Sequence, residues 1–298
     1  MRVLVTGASG FVGGHLGPRL RRDGVDVHAT DREFDVCDAA AVEAGVAQVR
    51  PDAIVHLAAQ SSVAASWREE KLTYRVNFLG ARSVLEAAAR RAPQARVVLV
   101  GSGVQYGSAP PGAPPFTEAA PLRPRSPYAR SKAAADLLGA AYAERGLDVV
   151  RVRPFNHAGP GQSDAFVLSG FARQLVAIEA GRSAPRLRVG NLDSVRDFLD
   201  IADVVDAYAR LLDRGAAAGA YNVASGVGVR IGDLLEGLLA RVRVRPAIEV
   251  DPARVRPTDV AVGDATRLRA ATGWAPGVRL EDTLERVLRH WREQLNAA

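Results

Sequence analysis

Arg2-Val3-Leu4-Val5-Thr6-Gly7-Ala8-Ser9-Gly10-Phe11-Val12-Gly13 begins with a β-branched apolar run, turns through spaced glycines and continues into an amphipathic segment. That order reads as strand, tight turn, helix. The spacing is G-x-x-G-x-x-G rather than the commoner dinucleotide pattern G-x-G-x-x-G, but the physics is shared. Gly7 permits the turn, Gly10 lets a pyrophosphate approach the backbone at a helix N-terminus, and Gly13 lets helix and strand pack closely. A glycine-rich turn alone is weak evidence; the strand before it and the helix after it give it weight.

Working outward, β-branched runs recur at 25–30, 53–57, 96–101 and 147–153, separated by helix-period segments around 11–22, 39–49, 72–91 and 127–145. This βαβα alternation predicts a right-handed, doubly wound parallel sheet of Rossmann type in an α/β protein. Past residue 155 the pattern changes to Gly/Pro-punctuated loops, with helices over 165–181, 201–214, 231–241 and 280–295 and strand-like pieces at 187–189, 220–224 and 247–250. We expect a dinucleotide-binding domain over 1–160 plus about 195–225, and a smaller α/β substrate lobe over about 161–194 and 226–298. The proline-rich stretch 108–115 reads as a surface loop bordering the cleft.

Composition narrows the class. The 298 residues carry 39 Lys+Arg against 33 Asp+Glu, a net charge of +6, with 48% hydrophobic and 24% charged residues. This is the profile of an ordinary globular chain, not of a disordered, collagenous or disulfide-stapled one. Cys37 is the lone cysteine, so no internal disulfide and no cysteine metal site is expected, and a cytoplasmic location fits. The opening run leaves no room for a secretion signal, and no apolar stretch reaches membrane-spanning length. A pI of about 10.0 raises the question of nucleic acid, but the arginines are scattered and form no basic recognition helix, so no nucleic-acid partner is expected.

Asp31, at the end of the second strand, suits the hydroxyls of an adenosine ribose and favours NAD(H). Arg32 beside it could instead hold a 2′-phosphate, which leaves NADP(H) open. Asp35 and Val36 follow as further candidates on the adenine side.

Ser126-Pro127-Tyr128-Ala129-Arg130-Ser131-Lys132 predicts a helix start, with Ser126 as cap, Pro127 in the first turn, and Tyr128 and Lys132 four apart on one face. Six tyrosines and only two lysines, Lys71 and Lys132, make a chance Tyr-x-x-x-Lys rare, about 0.04 expected. A tyrosine there can exchange a proton with a substrate, and the ammonium is expected to pull its pKa down.

With these pieces assembled, Gly7–Gly13, His56-Leu57-Ala58-Ala59, Asn77, Tyr106-Gly107 and Tyr128-x-x-x-Lys132 resemble the extended short-chain dehydrogenase/reductases that act on nucleotide sugars, along the entire chain. The resemblance implies that Ser102, four residues before Tyr106, completes a catalytic set with Tyr128 and Lys132. It implies cofactor contacts from Gly7, Gly10, Phe11, Val12, Gly13, Asp31, Arg32, Asp35, Val36, Leu57, Ala58, Ala59, Asn77, Tyr128, Lys132 and Phe155. Asn77 would help hold the active-site helix, although a buried, satisfied amide is an equal reading. The family also implies a homodimer through a four-helix bundle built from the helices near 72–91 and 127–145.

Three further segments, Arg153–Gln162, Val189–Phe198 and Arg256–Val260, resemble the branch containing GDP-mannose 4,6-dehydratases and GDP-6-deoxy-4-keto-mannose reductases. That implies Asn156 at the sugar or its diphosphate, Arg196 and Arg256 on the phosphates, Asp259 at the guanosine, and Ser102, Gly103 and Val167 beside the sugar. Where the dehydratases carry a glutamate, this chain has Val104, which cannot remove a proton. The expected function is therefore NAD(P)H-dependent reduction of the C4 ketone of a GDP-4-keto-6-deoxy-hexose to GDP-D-rhamnose. A 4-epimerase retaining NAD, a dehydratase and a non-catalytic NAD(P) sensor are the alternatives. No cysteine or Cys/His pair suggests C3 or C5 epimerisation, and His157 reads as a loop residue.

Overall fold

The computed structural model describes residues 1–30, 34–252, 255 and 258–297; Asp31, Arg32 and Arg256 lie outside the described residues. In chain order the first half runs β1 (Arg2–Thr6), α1 (Phe11–Arg22), β2 (Asp26–Thr30), α2 (Ala39–Val49), β3 (Ala53–His56), α3 (Val63–Arg68) and α4 (Glu70–Tyr74). A π-helical turn (Arg75–Leu79) leads into α5 (Gly80–Arg91), then β4 (Arg96–Val100), a 3₁₀ turn (Gly103–Tyr106), α6 (Pro127–Glu144) and β5 (Val149–Pro154). The remainder is β6 (Asn156–Ala158), α7 (Val167–Glu179), β7 (Arg186–Val189), β8 (Val195–Asp200), α8 (Ile201–Leu211) and β9 (Gly219–Val223). It continues with β10 (Gly228–Arg230), α9 (Ile231–Leu239), β11 (Ala247–Val250), β12 (Val260–Ala261), α10 (Thr266–Thr272) and α11 (Leu280–Ala297).

Six strands form one parallel sheet in the order β2-β1-β3-β4-β5-β9. The two-residue alternation of each strand feeds both faces. Val3 and Val5 join the core beneath α1 and α8, whereas Leu4 joins the core beneath α2, α5 and α6. Burial on both sides is why these strands read as continuous apolar runs rather than alternating ones. Chain direction across the sheet reverses between β1 and β3, and a doubly wound sheet opens its binding crevice at the carboxyl ends of the strands flanking such a point. The Rossmann-type expectation is borne out.

In the smaller lobe a third core gathers Leu168, Phe171 and Leu175 of α7, Leu187 and Val189 of β7, Leu234, Leu235 and Leu238 of α9, and Leu284, Val287 and Leu288 of α11. β8 links this lobe to the cleft by pairing with β6, β10 and β12. Within the expected lobe 226–298, Ala265, Leu268 and Trp274 instead pack in the first core, and Trp274 Nε1 donates to the Asp203 carbonyl on α8 at 3.0 Å. Helical period shows that α10 has a buried side but not which core receives it.

Candidate active site

A cavity of about 600 Å³ lies between the lobes at the carboxyl ends of β1, β3, β4 and β5. Its floor begins with the glycine turn. Gly7 sits at φ +71°, and a Cβ there would lie 2.7 Å from the Ala58 nitrogen; a Cβ on Gly13 would lie 2.5 Å from the Ala8 carbonyl. Both positions exclude a side chain. Gly10 precedes α1 without a side-chain cap, which leaves the first-turn amides for an anion. Phe11, Val12, Leu57 and Ala59 line the cavity, while Ala58 lies against Gly7. This cradle fits a dinucleotide pyrophosphate.

The opposite wall comes from α6. Ser126 Oγ accepts the Ala129 amide at 3.1 Å and Pro127 fills the first turn, so the helix starts where the sequence placed it. Tyr128 and Lys132 emerge on one buried face. Burial pushes the Tyr128 phenol up, against a smaller downward pull from Ser102, so it holds its proton. Lys132 Nζ donates to the Val100 carbonyl on β4 at 2.8 Å, and burial lowers its pKa to about 8. The expectation that the ammonium tunes Tyr128 is thus corrected: anchored to β4, its charge acts on His56, which burial and Lys132 together press down to about 3.

Asn77 sits in the π-helical turn. Its Oδ1 accepts the Gln60 amide at 2.8 Å, and its Nδ2 donates to the Gln60 carbonyl and to Ser131 Oγ, each at 3.0 Å. Ser131 Oγ in turn donates to the Tyr128 carbonyl at 2.8 Å. Asn77 therefore clamps the loop after β3 to α6, and it lies off the cavity wall. Val36 is also off the wall, buried where a Cβ on Gly80 would meet it at 2.8 Å. Asp35 accepts the Cys37 amide and pairs with Arg75 at 3.3 Å; the Cys37 amide chiefly, with Arg75, holds its carboxyl below the usual range.

Ser102, Gly103, Phe155, Asn156, Val167 and Arg196 also meet at the cavity. A Cβ at Gly103 would press on the Phe155 ring at 3.0 Å, so a side chain there needs the ring to give way. Asp259 turns to Arg196, pairing with it at 2.5 Å, and Arg196 also donates to the Asp259 carbonyl at 3.0 Å. Its carboxylate braces a cationic side chain of the wall instead of lining the cavity.

Sequence reasoning missed several lining residues. His157 stacks on Phe11 with ring centroids 6.1 Å apart, its Nδ1 lies 3.0 Å from the Phe155 carbonyl, and burial lowers its pKa. Gln162 Nε2 donates to the His157 carbonyl at 2.8 Å. Trp67, Phe166 and Phe198 add apolar wall, and Tyr208 reaches it from α8. Loop residues carry no periodic signal, and Tyr208 has the spacing of a core residue beside Val204, Val205 and Leu211. Among the described residues the wall carries no Asp or Glu, and no group of His, Cys, Asp and Glu could hold a metal. No described helix is long and apolar enough to cross a membrane.

The sequence family described as "Epimerase: NAD dependent epimerase/dehydratase family" matches residues 3–224. The chain belongs to this family. Among the epimerase/dehydratase relatives, the GDP-6-deoxy-D-mannose reductase of Pseudomonas aeruginosa is 37% identical over 299 residues, covering 99% of this chain and 98% of that one. The solved structure of RMD from Pseudomonas aeruginosa complexed with NADPH superposes with a TM-score of 0.89 at 36% identity, covering 98% of each chain. The Thermus thermophilus UDP-glucose 4-epimerase complex with NAD gives 0.88 at 32% identity, covering 98% of this chain and 99% of that one. The resemblance read from the motifs is borne out, and both forms of the nicotinamide cofactor occur among the structural relatives.

Proposed function

We propose that this protein reduces the C4 ketone of a GDP-linked 4-keto-6-deoxy-hexose, giving GDP-D-rhamnose. The observation that carries the reading is the cavity wall: a proton-holding Tyr128 beside Ser102, with Val104 and no carboxylate among the described lining residues. Dehydration of a hexose needs a base to remove the C5 proton, whereas ketone reduction needs only an acid at the new alkoxide. A bound reduced nicotinamide would supply the hydride to C4. Tyr128 gives its proton to the developing alkoxide and Ser102 Oγ orients that oxygen. Lys132, with one N–H spent on Val100, has two N–H groups left for the nicotinamide ribose. Gly7, Gly10 and Gly13 cradle the pyrophosphate, and Asn156 and Arg196, with Arg256, receive the sugar diphosphate. Asp31 puts NADH ahead of NADPH. The dinucleotide then belongs to 1–160 with the return over 195–225, and the sugar nucleotide to the lobe over 161–194 and 226–298, apart from the α10 segment.

The named reductase relative supports this reading, and the likeness to a UDP-glucose 4-epimerase keeps epimerisation as the second one. We also propose a homodimer, since Leu72 of α4, Leu79 and Leu137 of α6 stay exposed on adjacent helices. The deciding assay supplies synthetic GDP-4-keto-6-deoxy-mannose and follows NADH or NADPH oxidation, with NMR of the product. We expect cofactor consumption equal to the keto-sugar added, and no conversion of GDP-mannose. Tightly retained NAD with no response to added NADH would favour the epimerase. Formation of the keto-sugar from GDP-mannose without reductant would overturn the reductase assignment, and equal turnover of UDP-linked sugars would overturn the guanosine assignment.

A further inference from the structure

Trp67 is 57% exposed, and it shares the cavity wall with three further exposed apolar side chains, Val63, Phe166 and Val167. The other two tryptophans are held by the protein itself: Trp274 is buried, and the partly buried Trp291 donates from Nε1 to Ser169 Oγ at 3.0 Å. Val63 and Trp67 lie four apart on one face of α3, while Ser66 is buried and donates from Oγ to the Val63 carbonyl at 2.7 Å. An indole left in water forgoes the burial that such a ring ordinarily contributes. Because this ring lines the cavity, a ligand entering there covers it.

Position narrows the choice of ligand. Hydrogen bonds tie α3 to the turn of α6 that carries Tyr128: Ser131 Oγ donates to the Tyr128 carbonyl and accepts from Asn77 Nδ2, and Asn77 exchanges two bonds with the Gln60 backbone. Gln60 Nε2 then donates to the Ser62 carbonyl at 3.1 Å, and Ser62 Oγ caps α3 by accepting the Ala65 amide at 3.1 Å. α3 also packs directly on α6. The glycine turn that cradles the dinucleotide forms the cavity floor, whereas the exposure of these four side chains sets them at the rim, where a second ligand enters over the first. The part of the sugar nucleotide that reaches Tyr128 is its hexose, and a 4-keto-6-deoxy-hexose offers C–H bonds and a methyl group in place of the C6 hydroxyl. We propose that the Trp67 indole packs on the apolar face of that hexose and sets the affinity for the sugar rather than for the nucleotide. It rests on the substrate reading above.

The test measures acrylamide quenching of tryptophan fluorescence in wild type and Trp67→Phe. NAD⁺, or NADP⁺ if that binds more tightly, fills the dinucleotide site without turnover, and GDP-4-keto-6-deoxy-mannose or GDP is then added. Without ligand, wild type is expected to be quenched more than Trp67→Phe; the keto-sugar should bring it down to the variant's value, and GDP, which lacks the hexose, should not. In steady-state kinetics Trp67→Ala should raise KM for the keto-sugar about tenfold and leave KM for the reduced dinucleotide within about twofold. Equal quenching of the two unliganded proteins overturns the proposal, because the ring would then be covered by the chain or by a second copy. Shielding by the dinucleotide alone or by GDP overturns it too, as does a keto-sugar KM within about twofold of wild type in Trp67→Ala. Calorimetry separates the two readings: a keto-sugar that binds while Trp67 stays quenchable overturns this inference alone, and no binding of any GDP-linked sugar overturns the substrate reading and this inference with it.

Discussion

Tyr128 and Lys132 share a helix face but respond to different surroundings. The phenol is buried beside an uncharged hydroxyl and keeps its proton, while the ammonium is tied to a strand carbonyl and pressed toward neutrality. Tyr128→Phe is therefore expected to lower kcat by about 10²–10⁴ while leaving dinucleotide affinity unchanged; single-turnover kinetics with a binding titration checks both, and near-normal turnover would remove Tyr128 from the mechanism. His56 makes a different prediction. Its Nδ1 lies 2.8 Å from Thr6 Oγ1 and its pKa is held at about 3 against a model-peptide value of 6.5. Above pH 6.5 the ring is neutral whether the chain is folded or not, and it adds no pH dependence. Below that, the unfolded chain takes up a proton that the folded one refuses, so stability falls by about 1.4 kcal/mol per pH unit until the pH nears 3. Urea unfolding should show wild type losing about 2 kcal/mol more than His56→Gln between pH 6.5 and 5; parallel curves would refute the buried neutral ring.

At the scale of elements, α6 carries the acid, Ser102 caps the 3₁₀ turn, and one buried arginine joins the helix to that turn. Arg153 on β5 pairs with Asp136 of α6 at 2.6 Å and donates from Nη1 to Tyr106 Oη at 2.8 Å. Tyr106 Oη donates onward to Asn222 Oδ1 on β9 at 2.7 Å, and Arg151 reaches Asp136 at 3.3 Å. The Tyr106 ring stacks on Phe116 with centroids 5.1 Å apart. Removing one member of a buried pair strands the other charge, so Asp136→Ala should cost about 3–5 kcal/mol in denaturant unfolding. A loss below about 1 kcal/mol would mean that water reaches the pair. Asn77 does comparable work from the other side of α6, tying it to the loop after β3. The helix start at Ser126 was legible, because capping is local; the Arg153 network was not, because it joins residues from α6, β5, β9 and the turn after β4.

For the whole molecule, the cores on the two faces of the sheet and the core of the smaller lobe leave three leucines outside them. Leu72 and Leu79 are each 44% exposed and Leu137 is 61% exposed. Packed against a second copy, such side chains would each contribute about 1–2 kcal/mol. Sedimentation at micromolar concentration is expected to give twice the 31.6 kDa chain mass, and Leu137→Arg should shift it to the single-chain value. A wild-type monomer under those conditions would dispose of the dimer.

Local pattern determined a good deal of this protein. Strand and helix order, the glycine turn, the Ser126 cap and the Tyr128/Lys132 pair all follow from spacings of seven residues or fewer, and backbone sterics and helical period act over that range. Tertiary structure alone decided what lies across each buried face. It tied Lys132 to Val100 and pressed its charge on His56, turned Asp259 to Arg196 and placed α10 in the first core. An amphipathic period states that a side chain is buried but is silent on its neighbour, because that neighbour is chosen by strand order and helix docking between segments far apart in the chain.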